Sequence, residues 1–107
     1  MESFDSLRRQ LLVKLAELTD RYGLAPDDYE VQIRLEAGPL GTFGLESWPA
    51  GPMSLTFTAG PIGPAKTVRY KAMLESVGVS PETGVLFGDV TALRDALDLA
   101  LRVVPPQ

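Results

Sequence analysis

The sequence predicts a single α+β domain in which a helix precedes a three-stranded antiparallel meander, and a second helix, a short strand and a last helix follow. Apolar residues recur every three or four positions near both ends of the chain and alternate with polar residues in between. Ala-Gly-Pro triplets follow or separate the alternating runs. A chain of 107 residues has room for one domain. We therefore assign residues 1–107 to one domain, with residues 104–107 as a short tail.

The first helix is predicted over residues 2–22. Gly23 supplies its C-terminal stop, and Pro26 follows as expected after a helix end. The apolar side chains of this segment fall on one stripe, formed by Phe4, Leu7, Leu11, Leu15, Leu18 and Tyr22. This stripe predicts that one side of the helix faces the core.

The meander is predicted from three runs of residues. Residues 29–36 and 53–58 alternate between apolar and polar side chains, which is typical of strands with one buried and one wet face. A shorter strand over residues 42–47 is predicted between them. The glycine and proline residues of the triplets form turns at low steric cost, so antiparallel connections are expected.

The second half of the chain is predicted to hold two more helices and a short strand. One helix begins after Gly63, with Pro64 at its first position, and ends at Gly78. Residues 66–70 also fit a strand, and the sequence leaves this alternative open. Residues 85–87 are predicted to be a short buried strand between glycines. Asp89 is placed to cap a last helix over residues 90–103.

The last helix has an unusually wide apolar surface. Its apolar residues cover roughly 200° of the helical wheel, about twice the arc of an ordinary surface helix. The central line of this arc should pack on the sheet and consists of Val90, Leu93, Leu97 and Leu101. One flank of the arc consists of Ala92, Ala96, Leu99 and Val103. Either the rest of the domain or another chain must cover this flank. Because its alanines permit close approach of a helix, we predict a homodimer with the flank at the subunit interface.

Residues 60–67, Gly-Pro-Ile-Gly-Pro-Ala-Lys-Thr, follow one predicted strand and begin a predicted helix. The segment resembles the phosphate-binding loop of P-loop nucleoside triphosphatases, with Ala65 in place of the second glycine of that motif. The resemblance implies phosphate-binding roles for four residues, namely Gly60, Gly63, Lys66 and Thr67. The alternative is a structural turn that begins a helix, since its two prolines have no N–H to offer a phosphate.

Composition argues against several kinds of site. Lys and Arg number 10 against 14 Asp and Glu, and the net charge of −4 argues against a nucleic-acid partner. The chain has no cysteine and no histidine, which excludes thiolate catalysis, sulfur-ligated metals and histidine-based catalytic pairs. We expect no catalytic residue, metal or cofactor. The acidic N-terminal residues and short apolar runs predict no membrane partner and a cytoplasmic location. The preference for Arg over Lys suggests a prokaryotic source.

The order of the predicted elements resembles that of small dimeric type III secretion chaperones and related adaptor folds. This resemblance implies a protein-binding role. We therefore expect a non-enzymatic, homo-oligomeric module of the adaptor or chaperone kind that binds another protein. Nucleotide or phosphate binding by residues 60–67 is the alternative function.

Overall fold

The computed structural model describes residues 4–35 and 53–103. In chain order the elements are α1 (Phe4–Arg21), a 3₁₀ turn (Pro26–Asp28), β1 (Tyr29–Leu35), β2 (Met53–Ala59), α2 (Pro64–Ser76), β3 (Val85–Gly88) and α3 (Val90–Arg102). The predicted α+β class is confirmed. The strand predicted over residues 42–47 and the tail over residues 104–107 lie outside the described residues.

The described strands form one antiparallel sheet in the order β1-β2-β3. Leu35 lies opposite Met53, and Met53 lies opposite Gly88 on its other side. The predicted meander had a strand over residues 42–47 between the two longer strands. In the structure β1 is the direct neighbour of β2, and the short strand β3 is the third strand of the described sheet. Alternation of side chains predicts the faces of a strand but not the strand that pairs with it.

All three helices pack on one face of the sheet. The core combines side chains of the helices with those of β2, and its largest fully buried side chains are Leu7, Leu11, Leu15, Leu18, Met53, Leu55, Met73, Leu74, Leu93 and Leu97. The predicted apolar stripe of α1 is buried from Leu7 to Tyr22, and the side chain of Phe4 is not among those described. On the opposite face of β1, the polar side chains of Glu30, Gln32 and Arg34 are exposed. The predicted wet face of this strand is therefore confirmed.

The predicted helix starts of the second half are confirmed. Residues 66–70 belong to α2, which has Gly63 as its N-cap residue and Pro64 at its first turn. At the start of α3, the Asp89 carboxylate accepts a hydrogen bond from the backbone N–H of Ala92 at 2.8 Å. Both starts follow local rules, since proline needs no N–H acceptor in the first turn and aspartate satisfies a free N–H.

α1 and α3 lie side by side and run parallel. The Arg94 guanidinium donates to the side-chain oxygen of Gln10, and Lys14 forms an ion pair with Asp98. One end of α3 is held by a hydrogen bond from the Arg21 guanidinium to the carbonyl oxygen of Leu101. These contacts fix the side of α3 that faces α1 and thereby the side that faces away from it.

Candidate interaction surface

α3 buries one side and leaves another open. The side chains that are buried from solvent are Leu93, Leu97 and Ala100, whereas Leu101 is half-buried. Leu93 and Leu97 of the predicted central line lie in the core, and Leu101 packs against the same core while half-buried. The side chain of Val90, the remaining member of that line, is not among those described.

The predicted flank of α3 lies on the side that faces away from α1. Leu99 is 60% exposed and Val103 43% exposed, Ala92 is exposed, and Ala96 is half-buried. The described part of the chain thus leaves most of this flank open to solvent. The interpretation in which α1 covers the flank does not fit this arrangement, since α1 lies against the other side of α3.

Two further apolar side chains are exposed on β3. Val85 is 43% and Phe87 61% exposed, so the prediction of a buried strand was wrong for both. Their neighbour Leu86 lies opposite Leu55 and is half-buried on the helical face, and Val85 and Phe87 therefore point to the other face of the sheet. A run of three apolar residues gave no signal of this exposure, because it depends on the place of β3 at the edge of the described sheet.

β3 and α3 meet at this edge of the domain. A Cβ atom placed on Gly88 would lie 3.2 Å from the Cβ of Ala92, so the end of the strand touches the start of the helix. We call the combined apolar area the edge surface, and it consists of Val85, Phe87, Ala92, Ala96, Leu99 and Val103. The α3 side chains of this surface lie on the helical face of the sheet, whereas Val85 and Phe87 lie on the opposite face, so the surface has one part on each side of the β3 edge. Exposed apolar areas are typical of interaction sites.

Charged side chains border the edge surface on α3. Asp95 and Arg102 are both exposed, and neither forms an ion pair with another described residue. They stand about two helical turns apart and carry opposite charges. The border of the surface is therefore acidic toward one end of the helix and basic toward the other.

The structure places Lys66 against Asp28 on the 3₁₀ turn. The Lys66 ammonium donates to the Asp28 carboxylate at 2.9 Å, and the backbone N–H of Ala25 donates to the same carboxylate oxygen at 2.7 Å. The bond from Ala25, followed by that from Lys66, lowers the pKa of the Asp28 carboxyl below its ordinary value of 3.8. Both bonds favour the charged carboxylate, so Lys66 serves as an internal partner here.

The other residues of the predicted phosphate loop also make internal bonds. The Thr67 hydroxyl donates to the carbonyl oxygen of Gly63 at 2.9 Å, and the backbone N–H of Gly60 donates to the carbonyl oxygen of Asp28 at 2.9 Å. A phosphate would have to displace these bonds and the ion pair of Lys66. The described strands are also antiparallel, whereas the sheet of P-loop proteins is parallel. The geometry favours the structural turn, and phosphate binding by Gly60, Gly63, Lys66 and Thr67 stays a prediction.

Concave regions of the described surface are open and shallow in character. One groove of about 570 Å³ lies between the end of α1 and α2, where Tyr22, Val68 and Arg69 line it. Within residues 4–35 and 53–103, no cluster of three or more acidic side chains is arranged to hold a metal ion.

Comparisons with known proteins found no matching family model, and neither a curated protein nor a solved structure is significantly similar to the chain. The described helices include none that combines the length and the apolar character needed to span a membrane. The argument for function therefore depends on the geometry of the surface itself.

Proposed function

We propose that this protein is a non-enzymatic cytoplasmic interaction module that forms a homodimer and binds another protein. The observation that carries the proposal is the exposed flank of α3. Leu99 is 60% exposed, although it lies only two positions after Leu97, which is 0% exposed. Burial of such a side chain in an interface removes apolar area from water and stabilises the complex.

The composition of the flank suits contact with another helix. Ala92 and Ala96 have small side chains, so the backbone of a second helix can approach closely, while Leu99 and Val103 provide apolar area. On β3, at the same edge of the domain, Phe87 is also exposed and adds apolar area on the other face of the sheet. A homodimer that uses the edge surface leaves the opposite edge of the sheet, at β1, accessible to a partner protein.

Replacement of Leu99 by aspartate tests the homodimer. We expect the wild-type protein to have twice the monomer mass by light scattering at micromolar concentration. The Leu99→Asp variant should be a monomer with an unchanged circular dichroism spectrum, because the charge would be buried only in the interface. A wild-type protein that is monomeric under these conditions would contradict the proposal.

Two control variants separate the interface from general effects of an added charge. Val13 is 56% exposed on α1 and lies outside the edge surface, so Val13→Asp should leave the dimer intact. Leu97 is buried in the core of the domain, so Leu97→Asp should unfold the chain, since an unpaired buried charge is strongly destabilising. The Leu99 effect is specific only if the Val13 variant stays dimeric.

A further inference from the structure

Among residues 4–35 and 53–103, no strand pairs with the outer edge of β3. The backbone N–H of Phe57 donates to the carbonyl oxygen of Gly84 at 2.7 Å, which identifies these two residues as a hydrogen-bonded pair. In an antiparallel ladder, bonded and non-bonded residues alternate along a strand. Leu86 is therefore bonded to β2, whereas the N–H and C=O groups of Val85 and Phe87 point away from it, toward the open edge.

Apart from its short length, this edge has none of the side-chain features by which proteins usually prevent strand addition. The four residues of β3, Val-Leu-Phe-Gly, include neither a charged side chain nor a proline. Natural edge strands commonly use lysine, proline or a bulge to block pairing with another chain. An unblocked edge with Phe87 61% exposed is therefore suited to accept another strand.

The charges beside the flank favour a second copy of this chain as the occupant. If two α3 helices pack antiparallel about a two-fold axis, Asp95 of each copy lies toward Arg102 of the other. In a parallel two-fold pair, these side chains of the two copies would lie on opposite sides of the contact and would not meet. The border of the flank is thus complementary to itself in one orientation only, and the same two-fold orientation makes two β3 strands antiparallel.

We propose that β3 pairs with β3 of a second copy, so that the two sheets join into one continuous sheet and the α3 flanks pack across the same axis. Val85 of one copy then lies opposite Phe87 of the other, and each such pair exchanges backbone hydrogen bonds in both directions. This inference rests on the proposed homodimer and specifies how it is built.

Amide hydrogen exchange tests the strand pairing directly. In the wild-type dimer, the amides of Val85 and Phe87 should exchange at least about tenfold more slowly than in the Leu99→Asp monomer, because only the dimer gives them acceptors. The amide of Leu86 is the internal control, since its bond to β2 exists in both forms. Fast, unprotected exchange of the Val85 and Phe87 amides in both dimer and monomer would contradict the strand pairing while leaving the homodimer intact. Slow, protected exchange in both forms would place their acceptors within one chain and would also overturn the proposal.

A pair of variants at Phe87 distinguishes its backbone from its side chain. Phe87→Ala removes the ring but keeps the backbone N–H of residue 87. Phe87→Pro removes both the ring and this N–H, which faces away from β2. Proline is tolerated at such edge positions. We expect the dissociation constant measured by sedimentation to be larger for the proline variant than for the alanine variant. Equal constants would contradict the proposal.

A charge exchange tests the orientation of the helices without altering β3. Asp95→Arg and Arg102→Asp should each weaken the dimer, because each places like charges opposite one another across the axis. The double variant should recover the wild-type dissociation constant. A double variant that is as weak as the sum of the two single changes would show that these side chains do not face each other.

Discussion

Lys14 and Asp98 are 84 positions apart in the chain, and their ion pair joins α1 to α3 with 2.5 Å between the ammonium nitrogen and a carboxylate oxygen. The contact between Gln10 and Arg94 has the same separation of 84 and lies one helical turn earlier. A constant separation means that the two helices are parallel and in register. These polar contacts therefore set the axial position of α3 on α1, while the leucines beneath them supply the buried area.

A double-mutant cycle should measure a modest coupling between Lys14 and Asp98. Their side chains are 30% and 41% exposed, so water screens the attraction, and we expect a coupling free energy of about 0.2–1 kcal/mol. Urea unfolding of Lys14→Ala, Asp98→Ala and the double variant gives this value. The coupling should decrease at high salt. A coupling that is unaffected by salt would contradict the electrostatic explanation.

Asp28 should make stability depend on pH at the acidic end. The bonds from Ala25 and Lys66 lower the folded-state pKa of the Asp28 carboxyl. Asp28 therefore adds to the free energy of unfolding above its unfolded-state pKa, and this addition is lost as the pH falls through the lower, folded-state pKa. Asp28→Asn should therefore flatten the decrease in melting temperature below about pH 4. Asp27→Asn controls for the loss of one negative charge. Identical acid profiles for wild type and Asp28→Asn would contradict this role.

Alanine substitutions at Gly84 and Gly78 should differ in cost although both residues have positive φ angles, of 67° and 84°. A Cβ on Gly84 would lie 2.6 Å from the carbonyl oxygen of Phe57, whereas a Cβ on Gly78 would meet nothing within 4 Å. We expect Gly78→Ala to cost about 1–2 kcal/mol from backbone strain alone. Gly84→Ala should cost more, because β2 and β3 must separate. Equal losses in urea unfolding would show that the backbone adapts at no cost.

Nucleotide binding by residues 60–67 has a clear thermal test. The internal bonds of Lys66 and Thr67 lead us to expect no change in melting temperature with millimolar ATP and magnesium at neutral pH. A ligand that binds only the folded state would raise the melting temperature. An increase that Lys66→Ala abolishes would therefore establish the phosphate site and contradict the structural interpretation of the turn.

The parts of the fold that depend on near neighbours in the chain were predictable from the sequence. The stripe of α1, the start of α2 at Pro64 and the Asp89 cap follow from residue spacing within single helices, and the structure confirms them. Asp98 shows where this reasoning ends. It lies four positions from both Arg94 and Arg102, a spacing typical of pairs within one helix, but its carboxylate binds Lys14 of another helix. Contacts between elements depend on how the elements are arranged, which spacing does not encode.

The edge surface was predictable only in part for the same reason. The wide apolar arc of the last helix predicted that its flank would need a cover, and the structure leaves Leu99 of that flank exposed. Phe87 was missed, because its exposure follows from the position of β3 at the edge of the sheet. An apolar run has the same pattern in a central strand and in an edge strand.

The pairing of α1 with α3 also determines when this domain can fold during its synthesis. Arg21 and its acceptor Leu101 are 80 positions apart, so α1 leaves the ribosome long before its neighbour is made. At about 5–20 residues per second, the apolar stripe of α1 waits roughly 4 to 16 s for α3. The native contacts of α1 therefore form only after α3 has been synthesised and has emerged from the exit tunnel.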